Sequence, residues 1–248
     1  LGYLADGFSA ITIGSGSYTG NLSSQANISF KDPTTFTSSG TFTLGHNLAA
    51  TASTNAAFTI NGPLTWNDGD ITTSSGAISL NGNITLGGSG TRTVSSTSGV
   101  VTVGDATSDT VTGNTTNLTI NSGSAETTIN SSLNNIGTLG LGTSSQTGTI
   151  TLNQTFTVNT LTTGSSSYSI VLNGGNSGTS SVTNPVTFAN TASLTIGDQS
   201  DDIFLFSGGL TATAQSSLTL AGIIRTAGTS LSIGNSSSTT YLAADTVI

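Results

Sequence analysis

The stretch Ile78-Ser79-Leu80-Asn81-Gly82-Asn83-Ile84-Thr85-Leu86 sets the strongest constraint on what this chain can become. It reads apolar-polar-apolar, three turn-formers, then apolar-polar-apolar. Period-two alternation puts Ile78, Leu80, Ile84 and Leu86 on one face and Ser79 and Thr85 on the other. The spacing returns at Phe58-Thr59-Ile60 with Leu64-Thr65-Trp66, and at Ile150-Thr151-Leu152 with Phe156-Thr157-Val158. A hairpin through a two-residue Asn81-Gly82 loop would pair Ser79 with Ile84 and mix polar with apolar positions on each face. A three-residue loop needs a left-handed residue at its last position. Asn83 can adopt that backbone, but Pro63 cannot and β-branched Thr155 does so poorly. A corner suits all three joints. The strand bends there and continues with its apolar face still inward, which is how a β-solenoid turns.

The triplets continue along the chain. They begin at Ile11, Ile28, Phe42, Phe58, Ile78, Val101, Leu118, Ile150, Ile170, Leu194, Leu218 and Leu231, mostly 13 to 24 residues apart. The wide gap from Leu118 to Ile150 holds weaker candidates at Ile129 and Leu139-Gly140-Leu141. Repeats of roughly 20 residues per coil with degenerate turns predict an all-β, parallel β-helix (β-solenoid) as a single domain over residues 1–248. A β-sandwich, with turn signals every 8–12 residues, ranks second. Roughly 12 coils at about 4.8 Å would make a rod near 60 Å long. Asn or Gly follows several triplets, at Asn61, Asn81, Asn121, Asn153, Asn173, Gly197 and Gly234, where a corner would use a left-handed backbone. Stacked in register, the asparagines would also bond to one another along the axis.

Charged residues make up 6% of the 248, against roughly 25% in an ordinary domain. Ser, Thr, Asn and Gly take their place. Three prolines and many β-branched residues in alternation argue against disorder. The net charge is −8 and only Lys31, Arg92 and Arg225 are basic, which excludes a nucleic-acid partner and disfavours an anionic membrane surface. No run of apolar residues is long enough to insert into a membrane. With no cysteine, disulfides and thiolate metal sites are excluded. The absence of methionine and of a signal peptide predicts a processed product or a fragment. The lack of caps predicts that the native chain continues, or that the ends stack on copies of itself.

The Gly/Asn/Ser/Thr-rich coils of residues 58–88 and 218–235 resemble the filamentous haemagglutinin-like surface proteins of bacteria and autotransporter passengers. That resemblance implies a right-handed β-helix, an extracellular location at the cell surface, and a non-catalytic structural or adhesive role. It implies as partners a host or matrix glycan or protein, or further copies end to end. Asn184-Pro185 lies far from the N-terminus, so within that family this segment would be shaft rather than secretion domain.

Candidate sites are few. Asp198, Asp201 and Asp202 form the densest acidic cluster. It reads as a solvated loop, as a calcium site built of oxygen ligands, or as an acid–base pair acting on polysaccharide. Asp68 and Asp70 are a second calcium candidate, though two carboxylates alone are too few and a polar turn accounts for them. No other cofactor is implied. Trp66 shares the face of Leu64 and reads as core, with a sugar platform as its functional rival. His46 is the lone histidine and has no metal-ligating companion. Ile203-Phe204-Leu205-Phe206 breaks the polar alternation, so the outward pair should be covered either by packing within this chain or by a neighbouring subunit or partner, for which all four residues are interface candidates. Pairs at Thr41/Thr43, Thr91/Thr93, Thr155/Thr157 and Thr211/Thr213 raise ice binding, but their irregular spacing in the sequence yields no lattice. Threonine is in any case favoured on strands.

Overall fold

Parallel pairing joins every strand pair among the described residues, and no hairpin occurs. The computed structural model describes residues 6–50, 56–175 and 178–248, with no helix among them. Successive coils stack as a β-solenoid of about 10 turns, roughly 23 residues apart. The longer repeat replaces the expected 20, so the rise is about 48 Å by the usual interstrand spacing. The added residues lie in the corners. Asn61 reaches Leu64 in three positions, whereas Gly104 runs to Thr110 before the next strand starts.

Each coil has three faces. The first runs from Ile11–Gly14 through Thr34–Thr37 and Phe58–Asn61 to the start of Thr239–Val247. The second begins with Leu22–Ser23, Phe42–Leu44 and Leu64–Trp66. The third begins with Ile28–Phe30, Leu48–Ala50 and Ile71–Thr73. The long strand Ser132–Leu141 covers the second and third faces together, a feature that Phe156–Thr163 repeats in one further coil. Its start pairs with Thr110–Thr112 and its end with Asn117–Asn121, across a bulge between Leu133 and Ile136. Asn135 sits in that bulge at φ 54°.

Inward positions of all three faces merge into one aliphatic and aromatic core. Phe30, Phe36, Phe42 and Phe58 cluster near one end, with Phe36 stacked on Phe42 at 4.8 Å. Three inward positions carry threonine, and Thr73 donates its hydroxyl to the Gly76 carbonyl at 2.6 Å. Thr34 satisfies its hydroxyl on the Asp32 carbonyl at 3.0 Å, but the buried Thr127 hydroxyl has no partner. Thr127–Ile129 is the strand that the gap from Leu118 to Ile150 conceals, because its first inward residue is polar.

The corners divide the work between glycine and asparagine. Gly62 and Gly82 hold the left-handed backbone, at φ 122° and 102°, whereas Asn61, Asn81, Asn121, Asn153 and Asn173 do not. The expectation that asparagine supplies the left-handed residue fails at those five positions. Four of them instead form amide ladders. Asn81 Nδ2 donates to Asn61 Oδ1 at 2.8 Å, and Asn61 Nδ2 to Thr37 Oγ1 at 3.3 Å. Asn173 donates to Asn153 and Asn153 to Asn130, each at 2.8 Å. Gly104 and Gly197 interrupt the series, both with positive φ. Asn121 lies on the third face, and its Oδ1 accepts from the Gly123 N–H.

Candidate functional site

Asp202 is the buried member of the acidic cluster, while Asp198 and Asp201 are exposed. Its Oδ2 accepts the backbone N–H of Asp198 at 2.8 Å and of Gln199 at 2.9 Å, closing the turn that starts at left-handed Gly197. Its Oδ1 is buried without a partner. Burial raises the Asp202 pKa above the ordinary carboxylate value, and the two N–H bonds oppose that shift. The same device recurs four coils earlier. In Gly104-Asp105-Ala106-Thr107-Ser108-Asp109, Asp109 Oδ2 accepts from the N–H groups of Asp105 and Ala106, both at 3.0 Å. The common pattern, Gly-Asp followed by Asp five residues after the glycine, is a turn signature that the clustering of acids had obscured.

Asp68 and Asp70 are likewise engaged in the backbone. Asp68 Oδ1 accepts from Gly69 N and lies 3.6 Å from Arg92 Nη1. Asp70 belongs to a ladder at the entry to the third face. Asn27 Oδ1 accepts from Asn47 N at 3.1 Å, Asn47 Oδ1 from Asp70 N at 2.8 Å, and Asp70 Oδ1 from Thr93 N at 3.0 Å. The two acidic groups are not brought together. Among the described residues no three His, Cys, Asp or Glu side chains gather as a metal would need.

Sequence reasoning missed Arg92. It is 1% exposed, and its guanidinium caps carbonyls across two coils. Nη2 donates to the carbonyls of Asn67, Gly87 (2.6 Å) and Ser89 (3.2 Å), and Nε to Trp66 at 3.3 Å. Its parity is the signal: Arg92 lies between outward Thr91 and Thr93 and shares the face of inward Val94. Trp66 is buried as its alternation predicts, and its Nε1 donates to the Gly69 carbonyl at 2.9 Å. His46 is exposed. Tyr168 is buried. Its hydroxyl donates to the Leu141 carbonyl at 2.6 Å and accepts from Gly164 N at 2.9 Å, and burial pushes its pKa up to about 12.

In the apolar run, Phe204 and Phe206 point into the core, while Ile203 and Leu205 lie outward and half-buried. Ile203 stands between Thr179 and Ile223, and Leu205 between Ser181 and Arg225. Alternation therefore persists here with apolar residues on both faces.

Two surfaces remain. An open groove of about 390 Å³ is lined by Thr73, Ser95, Ser96, Asn121, Ser124 and Ser145. It offers hydroxyls and amides, with no general base to activate them. The second is the outer rank of the first face. There the register aligns Thr12, Thr35, Thr59, Ser79, Thr102, Thr128, Thr151, Val171, Thr195, Thr219 and Tyr241 on successive coils. The irregular Thr pairs of the sequence do not make this rank. Thr43 and Thr157 lie on the second face and Thr91 and Thr93 on the third. Register, which linear spacing does not reveal, aligns this rank from single threonines inside Ile-Thr-Leu-type triplets. No protein-family model, curated protein or solved structure matches this chain.

Proposed function

We propose that this chain forms the shaft of an extracellular, non-catalytic bacterial surface protein of the filamentous haemagglutinin or autotransporter-passenger kind. The observation that carries the reading is the unbroken axial register of some ten coils over one continuous core. Stacked backbone hydrogen bonds along the axis suit a mechanical role, because each coil braces only its neighbours and length is added without a new core design. The low-charge outer surface, rich in Ser, Thr and Asn, supports a role in contact with water and extracellular matter. The buried Asp202 and the carbonyl-capping Arg92 act in the scaffold, which favours a structural role over acid–base work. Adhesion to a host or matrix glycan or protein would use the corner loops, where side chains vary between coils. The half-exposed Ile203 and Leu205 would be a contact point for such a partner.

The test is made on the source cell. Antibodies to the chain should label the surface of intact cells, surface proteolysis should remove the label, and deletion of the encoding sequence should reduce attachment to matrix or host material. Label found only after the cells are broken would overturn the reading.

A further inference from the structure

We propose that the first face is an ice-binding surface, whose threonine rank and flanking amide rank hold water in an ice-like lattice. Three observations carry this. First, hydroxyl side chains occupy seven consecutive coils without a break, from Thr12 to Thr151. Parallel stacking spaces them by about 4.8 Å, close to the repeat of hexagonal ice along its a axis.

Second, another rank lies two residues on, on the same side and about 6.6 Å away by strand geometry. It holds Thr37, Asn61 and Asn81 in one block and Asn130, Asn153 and Asn173 in another, each fixed by side-chain hydrogen bonds along the axis. Ordered water on such groups loses little further freedom when it joins a crystal, because the protein side is already immobile.

Third, the first-face rank is the longest threonine rank of the three faces. Propensity would act on all three faces equally. The first face has threonine at eight of its eleven outward positions. The second face carries a shorter run, Thr43, Thr65, Thr85 and Thr112 on successive coils, and the equivalent third-face positions Ser29, Ala49, Thr72, Ser95 and Asn121 include one. The chemistry also selects the occupant. The rank is uncharged and has no aromatic side chain before Tyr241, so it lacks both a partner for a charged polymer and a platform for a sugar ring. A threonine offers water a hydroxyl for hydrogen bonding and a methyl that favours cage-like first-shell order.

The experiment uses the purified chain and ice itself. Thermal hysteresis and faceting of single ice crystals are measured for the natural sequence, for Thr102→Tyr and Thr128→Lys on the first face, and for Thr72→Lys on the third. Circular dichroism establishes that each variant retains its strands. The expected result is hysteresis in the natural protein, its loss in both first-face variants, and its retention in Thr72→Lys. No hysteresis in the natural protein overturns the proposal, as does a first-face variant that folds and keeps full activity. Failure on either count leaves the shaft reading standing, since that reading rests on the register and core alone.

Discussion

Arg92 and Asp202 are both buried charges at corners of the same solenoid, yet they are accommodated in different ways. Arg92 distributes its donors over carbonyls on two adjacent coils and keeps Asp68 within 3.6 Å. Asp202 receives two N–H groups on one oxygen and none on the other. A guanidinium has five donors in a fixed fork and can satisfy several carbonyls of a stacked corner at once. A carboxylate closing a single turn has only the N–H groups of that turn within reach. The contrast shows that, in a repeat architecture, a buried charge is stabilised by reaching across coils and is only tolerated when it bonds within one.

The largest test of that contrast is Arg92→Met. It removes the cap from carbonyls of two coils while keeping most of the side-chain bulk, and should cost about 3 kcal/mol or more. Urea unfolding followed by circular dichroism would measure it. A loss below about 1 kcal/mol would mean that water replaces the guanidinium, and the contrast would collapse.

The amide ladder comes next. Asn153→Ala leaves the Asn130 Oδ1 and the Asn173 Nδ2 without their partners. A loss of about 1–2 kcal/mol is expected in the same assay, and the Asn173 amide should become more exchangeable by NMR.

Asp202→Asn sharpens the comparison from the other side. Asparagine keeps an oxygen for the N–H groups of Asp198 and Gln199 and removes the buried charge. Because burial raises the folded-state pKa of Asp202, its protonated form favours the fold, and that contribution is lost as pH rises through the folded value. The stability difference between Asp202→Asn and the natural protein should therefore grow in favour of the variant with rising pH, then level off. A difference independent of pH across the acid range would show that Asp202 titrates as an exposed acid does.

The smallest effect belongs to Thr127→Val. Its hydroxyl is buried and unpartnered, and valine has nearly the same shape, so a gain of about 1 kcal/mol in the urea midpoint analysis is expected. A loss instead would reveal a hydrogen bond or an ordered water at that hydroxyl.

Much of the fold was legible in the chain itself. The Ile78–Leu86 pattern excludes a hairpin through side-chain parity, and Pro63 excludes the left-handed loop residue that a hairpin would need. Parallel stacking, inward alternation and the burial of Trp66 follow from the same period-two logic. The amide ladder was legible as a possibility that depended on register. The candidate sites were far less legible. The acidic residues near Asp202 and Asp70 resembled metal ligands because their proximity in sequence hides the backbone N–H groups they serve. Arg92 shares the parity of inward Val94, but its charge spoke against burial. The repeat length was underestimated because the triplets at Ile28, Phe42, Leu118 and Leu231 lie off the first face and shorten the apparent spacing of the series.

Sequence alone determined the unit: a three-residue strand with an apolar inner pair, a polar outer residue and a corner of small side chains. Those properties are local, fixed by side-chain parity and by φ preferences. The tertiary structure decided which units lie above one another. Coils of 20 to 26 residues place equivalent positions at unequal intervals along the chain, and only the stacked hydrogen bonds bring them to equal intervals in space. The threonine rank, the asparagine ladders and the reach of Arg92 all depend on that conversion.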